Sequence, residues 1–238
     1  MAAFIYGVYL QMKLNIRDRE ILLTYYLVPF VFYLFVGSVF TSIIPDAYKT
    51  LIQSMSVFSV TMGGVIGAPA PLVELYGSEI KKAYRAGDVP LWTAALGQFI
   101  SAFVHLFIMS MIIFITAPFL FKAVVPENLP GFFLALVLSI AASLSIGTIF
   151  GLFIKNTAKL GVVTQVVFLP SLMLSGIMFP ASMLPKAFEY AGMIFPASWA
   201  YKSMCQSNLN FMTMLPLVFV IVLAFIISVW RLRKMKTE

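Results

Sequence analysis

Glu74-Leu75-Tyr76-Gly77-Ser78-Glu79-Ile80-Lys81-Lys82-Ala83-Tyr84-Arg85-Ala86-Gly87-Asp88-Val89-Pro90-Leu91-Trp92 is a charged segment set between two long apolar runs. It carries three carboxylates, at Glu74, Glu79 and Asp88, and three cations, at Lys81, Lys82 and Arg85. A connector that only had to join two apolar runs would need a few polar residues. The amphipathic spacing here, closed by Pro90, predicts a short helix lying at a membrane face.

The flanking runs set the class. The chain has 238 residues, of which 61% are hydrophobic and 11% charged, with a mean hydropathy of +0.99. A soluble domain carries about 25% charged residues, so this is an integral membrane protein. The apolar stretches are long and nearly free of charge, which predicts helices rather than alternating barrel strands. Six are legible: Ile21–Ile44, Leu51–Val73, Leu91–Phe119, Gly131–Ile154, Val162–Phe179 and Leu209–Trp230. Most exceed the ~20 residues that cross a bilayer core. No linker or low-complexity tract divides them, so residues 1–238 are expected to form one domain. A single cysteine, Cys205, excludes an internal disulfide. The N-terminus lacks the pattern of a cleaved leader.

Basic residues orient the spans. Lys13, Arg17, Arg19, Lys81, Lys82, Arg85, Lys155, Lys159, Arg231, Arg233, Lys234 and Lys236 fall on one side, twelve of the sixteen Lys and Arg. Lys49, Lys122, Lys186 and Lys202 fall on the other. The positive-inside rule then places both termini in the cytoplasm. The net charge of +7 is anchoring charge, and no nucleic-acid partner is expected. In residues 1–20, Phe4, Ile5, Val8, Tyr9, Met12 and Ile16 recur at helical spacing, with Gln11, Lys13, Asn15 and Arg17 mostly off that stripe. This predicts an amphipathic helix in the inner interface, against membrane lipids.

Three features of the spans suggest how they meet. The fourth has a small residue at every fourth position: Gly131, Ala135, Ser139, Ser143, Gly147 and Gly151. Such a ridge permits close helix crossing, and Gly63 and Gly67 repeat the spacing in the second span. Leucine at position 147 should block that approach, whereas alanine, still small, is expected to be tolerated much better. The third span places Gln98, Ser101 and His105 on one face. They are candidates for a translocation path, or for hydrogen bonds between helices. The region after Pro170 and Gly176 is punctuated by Pro180, Pro185 and Pro196 and is rich in aromatics. Residues 181–201 are therefore expected to form short re-entrant helices at the outer interface.

Absences narrow the function. No Lys follows a Gly, so no phosphate-cradling Gly-Lys-Ser/Thr loop is present. One His and one Cys are too few for the usual metal or nucleophile constellations. None of the six runs contains an acidic residue, which ion-coupled transporters usually need. An enzyme and an ion-driven pump are both disfavoured. Energy for uphill movement would have to come from another polypeptide, with residues 74–90 as a lever that a soluble partner can push.

Three motifs then carry a resemblance. The first is Leu72-Val73-Glu74-Leu75 through Lys82-Ala83-Tyr84-Arg85-Ala86 to Pro90-Leu91. The second is Gly147-Thr148-Ile149-Phe150-Gly151-Leu152-Phe153-Ile154-Lys155-Asn156. The third is Phe168-Leu169-Pro170-Ser171-Leu172-Met173-Leu174-Ser175-Gly176-Ile177-Met178-Phe179-Pro180, followed by Met183-Leu184-Pro185 and Phe195-Pro196. Over nearly its whole length the chain resembles the permease subunits of type-2 ABC exporters. It departs from their pattern at Glu79 and at Asp88-Val89. The resemblance implies an all-α membrane protein with six transmembrane helices, an interfacial N-terminal helix and re-entrant outer helices. It implies a second permease copy, identical or related, and two cytoplasmic ATPase subunits holding ATP and Mg. It makes Glu74, Lys81, Lys82, Arg85 and Pro90 the residues that couple to the ATPase. No cofactor is expected on this chain. The cargo would be amphipathic or lipid-like, since 23 Phe suit greasy ligands held by shape. Lipid-linked glycan export and a non-transporting sensor or scaffold are the alternatives.

The charge asymmetry is directly testable. In a Cys205→Ser background, a cysteine introduced at Thr237 should resist a membrane-impermeant thiol reagent in intact cells. One introduced at Glu127 should react. Labelling at 237 from outside contradicts the six-span topology.

Overall fold

The structure is a computed structural model and describes residues 2–44, 46–77, 84, 86–87, 89–178, 185–208 and 210–237. An N-terminal helix, α1 (Ala2–Arg17), precedes five helices long and apolar enough to cross a bilayer. These are α2 (Arg19–Ile43), α3 (Leu51–Gly77), α4 (Leu91–Phe121), α5 (Leu129–Phe153) and α6 (Thr157–Leu174). Two short helices, α7 (Lys186–Gly192) and α8 (Pro196–Met204), lead to the sixth long one, α9 (Phe211–Thr237). No strand occurs among the described residues. The six expected spans are all present, with shifted ends.

The shifts follow from capping and backbone chemistry. The fifth span begins earlier than Val162 because the Asn156 side chain accepts the Ala158 and Lys159 amides, at 2.8 and 3.2 Å. It stops at Leu174, ahead of the expected Phe179. Gly176 takes a left-handed φ of 85° just beyond, a conformation that glycine adopts without penalty. Pro170 stays inside the helix. Asp18 caps α2 through the Glu20 and Ile21 amides, and Asn128 caps α5 through the Gly131 amide.

Two long helices contain a widened turn, Leu23–Leu27 in α2 and Gly63–Gly67 in α3. Pro29 and Pro69 lie just beyond them. A proline ring clashes with the carbonyl four residues back and offers it no N–H. Each helix absorbs the misfit by a turn that bonds five residues back. The Ala68 amide accordingly donates to the Gly63 carbonyl at 2.8 Å. The two widened turns face one another. Fully buried Tyr25 lies against Gly67, where an added Cβ would come within 2.6 Å of the ring. At Gly63 a Cβ would overlap the Leu106 side chain of α4.

α3 occupies the centre. Its most apolar window is 78% buried, against 17% for α9 at the periphery. It crosses the small-residue ridge of α5 at backbone distance. A Cβ on Gly147 would overlap the Gly64 carbonyl oxygen. A Cβ on Gly64 would meet the Ser143 Cβ at 2.6 Å, and one on Gly151 would meet the Leu72 Cβ at 2.6 Å. Gly131 plays a different part from the rest of the ridge, since its space is filled by the Asn128 side chain that caps its own helix.

The region after α6 turns back into the bundle. The short α8 buries Ala197, Ser198, Ala200, Ser203 and Met204 among α3, α5, α6 and α9. The Ser198 hydroxyl donates to the Gly192 carbonyl at 2.6 Å, and the Trp199 indole N–H to the Met193 carbonyl at 2.7 Å. Pro185 starts α7, and Pro196 occupies the first turn of α8, where its missing N–H leaves nothing unpaired. Pro180 lies outside the described residues.

The crossing adds a cost to the alanine expectation. At position 147 even alanine must displace a backbone carbonyl rather than a flexible side chain, so small size alone does not rescue it. Gly147→Ala is expected to cost about 1–3 kcal/mol as an overpacking substitution, and Gly147→Leu more. Gly161→Ala, where nothing lies within 4 Å of an added Cβ, should be neutral or slightly stabilising. Thermal unfolding of the three detergent-solubilised variants checks the order. Equal midpoints for Gly147→Ala and Gly161→Ala would contradict it.

Candidate coupling site and its polar clamp

The segment between α3 and α4 is closed by a hydrogen bond across its base. The Tyr76 hydroxyl, one residue before the end of α3, donates to the carbonyl of Leu91, the first residue of α4, at 2.7 Å. Pro90 is extended, with φ −62° and ψ 130°, and so ends the connection and starts the helix. Its carbonyl accepts the Thr93 hydroxyl at 2.6 Å, and the Val89 amide donates to the Tyr84 carbonyl at 2.9 Å. Lys81, Lys82 and Arg85, together with Glu79 and Asp88, lie outside the described residues. Glu74 lies within the last turns of α3. With Asp18 and Glu20 it lines a cavity of about 230 Å³ between α2, α3 and α6. Tyr76 was not singled out in the sequence, because a tyrosine near a membrane surface is common and its partner is a backbone atom.

The third-span face is a clamp. The Gln98 Oε1 accepts the side-chain amides of Gln11 at 2.9 Å and Asn15 at 3.2 Å. The Ser101 hydroxyl accepts from Asn15 at 2.9 Å. Asn15 is 1% exposed. One turn further along α4, His105 Nδ1 lies 2.6 Å from the hydroxyl of Tyr26 on α2. Gln98, Ser101 and His105 are therefore brought together along one face, and what they make is hydrogen bonds to α1 and α2.

α1 is thus fixed by its polar side. Tyr6, Tyr9, Leu10, Leu14 and Ile16 remain exposed, while Gln11 and Asn15, four residues apart, turn inward onto α4. The spacing was visible in the sequence. What it did not reveal is that this polar pair has a polar pair opposite, which accepts its amides through Gln98 Oε1 and the Ser101 hydroxyl, while Gln98 Nε2 stays buried without a partner among the described residues.

Glycines form the other half of the site. Gly63 and Gly67 seat α4 and α2 against α3, and Ser143, Gly147 and Gly151 seat α5. The arm entering the connection is held by close backbone packing. The arm leaving it is held by hydrogen bonds.

The clamp predicts a double-mutant outcome. Asn15→Leu should leave Ser101 buried without its partner and Gln98 with Gln11 alone, and cost about 1–3 kcal/mol. Adding Gln98→Leu should recover part of the loss, because removing both partners is nearly neutral. Thermal unfolding of the single and double variants measures the coupling. Strict additivity would mean that the clamp does not hold α1 to α4.

No curated protein matches this chain. A family model described as ABC-2 type transporter matches residues 3–209, from α1 through the short helices to the approach to α9. That match takes in the connection between α3 and α4, the ridge of α5 and the turn after α6. With six helices able to cross a membrane and a match over most of its length, the chain belongs to the ABC-2 type transporter family.

Proposed function

We propose that this protein is the permease subunit of an ATP-driven exporter, powered by a separate cytoplasmic ATPase that presses on the connection between α3 and α4. Family membership supports a partner ATPase in general. The observation that carries the mechanical reading is the Tyr76 to Leu91 hydrogen bond. It joins the two helix ends into one unit, so that a push on residues 77–90 moves both.

In this reading two permease copies, identical or related, are clasped by two ATPase subunits that hold ATP and Mg. Lys81, Lys82 and Arg85 meet the acidic surface of the ATPase or lipid headgroups. Glu74 and Pro90 mark the two ends of the lever. Closure of the ATPase pair shifts the lever, and α3 tilts at its widened turn, where the regular hydrogen-bond ladder is already interrupted. Because α3 touches α5 at Gly64 and α2 at Gly67, its tilt reaches both neighbours. The route between the copies then opens on the side of α7 and α8. Cargo is amphipathic or lipid-like, in keeping with the apolar walls. Both termini and the lever face the cytoplasm, and α7 and α8 dip into the outer leaflet.

Charge reversal on the lever tests this. Arg85→Glu should leave folding unchanged, as charge changes outside the apolar runs usually do within about 0.5 kcal/mol. It should abolish the stimulation of the co-expressed ATPase and with it efflux. Normal efflux with normal ATPase stimulation would contradict the lever.

A further inference from the structure

Near the end of the bundle that carries both termini, three spans leave a groove between them. It has a volume of about 350 Å³. Trp92, Leu96 and Phe99 of α4 wall one side, and Phe225 of α9 the other. Its floor is small, formed by Ala95, Ser145, Ala224 and Ser228. The Thr148 hydroxyl at its edge donates back to the Leu144 carbonyl at 2.8 Å, so it presents little polarity to the groove. From Ile221 to Leu232 the lining runs roughly 16 Å along α9 at 1.5 Å per residue. One leaflet of hydrocarbon is about 15 Å thick. An apolar slot of that length, open to the membrane, is the shape of a single acyl chain.

Charge at its end selects the headgroup. The last lining residue on α9, Leu232, is flanked by Arg231 and Arg233 and followed by Lys234. Arg231 is drawn to the end of α5, where its Nε–H reaches the Leu152 carbonyl at 3.4 Å and its guanidinium lies over the Phe153 ring. Lys234 lies over Trp230. Arg233 is exposed. Cations are thus held at headgroup height, beside interfacial Trp92 and Trp230. A second, larger apolar groove between α2 and α4, about 660 Å³, has Arg19 as the one cation among its described lining residues. That arginine stands between Asp18 and Glu20, so an anion gains little there.

We infer that the groove between α4, α5 and α9 binds one anionic phospholipid from the leaflet at the basic end. One acyl chain fills the slot, and the phosphate is held by Arg233 and Lys234. This lipid is a fixed partner of the permease at its periphery, apart from the α2, α3 and α6 side where the acidic cavity lies. The site does not depend on the exporter reading, because it is read out as binding.

Native mass spectrometry of the purified, delipidated full-length protein tests it, with thermal unfolding alongside. The probes are phosphatidylglycerol, phosphatidylcholine of the same chain length, and water-soluble glycerophosphoglycerol. One phosphatidylglycerol per chain should be retained and should raise the unfolding midpoint, with phosphatidylcholine weaker and the soluble headgroup without effect. Arg233→Gln should lower the phosphatidylglycerol preference about fivefold, the effect of one cation near an anionic headgroup. Ser228→Phe fills the floor and should abolish retention of both lipids. Should that variant misfold, Leu96→Trp, which fills the slot from its exposed wall, makes the same test. Equal retention of the two phospholipids by the parent protein, or unchanged retention in the slot-filling variants, would overturn the site. Stabilisation by the soluble headgroup alone would reduce it to a surface anion effect.

Discussion

The close approach of α3 and α5 is the constraint on which the rest of the bundle depends. Lipid tails are as apolar as leucine, so helices in a bilayer gain little from hiding apolar surface and associate through packing and hydrogen bonds. Gly64 and Gly147 let two backbones meet with no side chain between them. That contact places α3 at the centre, where its neighbours are fitted to it. Tyr25 of α2 lies against Gly67, Leu106 of α4 against Gly63, and Leu72 of α3 itself against Gly151. Stacking of Phe32 on Phe58, with ring centroids 3.9 Å apart, and the edge contact of Phe58 with Phe168 bind α2 and α6 to the same helix.

A central helix that leaves the bundle directly into a charged connection is well placed to carry movement inward. The two arms of that connection are held differently. α3 is held by shape, through glycines whose positions leave no room for a side chain. α4 is held by directional bonds, Asn15 to Gln98 and Ser101 and Tyr26 to His105. Hydrogen bonds between membrane helices average about 0.6 kcal/mol, so the clamp can re-form in a second arrangement more readily than the glycine crossing can. The geometry therefore suits α3 carrying α5 with it as it tilts, while α4 and α1 follow through bonds that can re-form. The widened turns add compliance where α3 meets α2.

How much of this was legible from residues alone depends on whether each feature is local. The six spans, their helical type and the ridge follow from periodicity and composition, and they appear among the described residues. Helix ends were less legible, because Asn156 and Gly176 act through one side chain and one dihedral. Pro29 and Pro69 were visible, but whether proline kinks a helix, ends it or widens a turn depends on the surroundings. The cost of alanine at position 147 was illegible for the same reason, since residue size does not say whether the neighbour is a movable side chain or the Gly64 carbonyl. The role of Tyr76 was illegible, and Asn15 was legible only as part of a polar face, because their partners lie 15 and more than 80 residues away.

The central claim is that the segment joining α3 and α4 is where a soluble ATPase engages this permease. A photoreactive amino acid at position 84, within that segment, tests it most directly in cells that express the chain with a candidate ATPase. The account predicts a crosslink to the ATPase from position 84, sensitive to ATP, and none from a matched probe at position 127 between α4 and α5. A crosslink from 127, or an ATPase that assembles with the chain while position 84 stays unlinked, would contradict it.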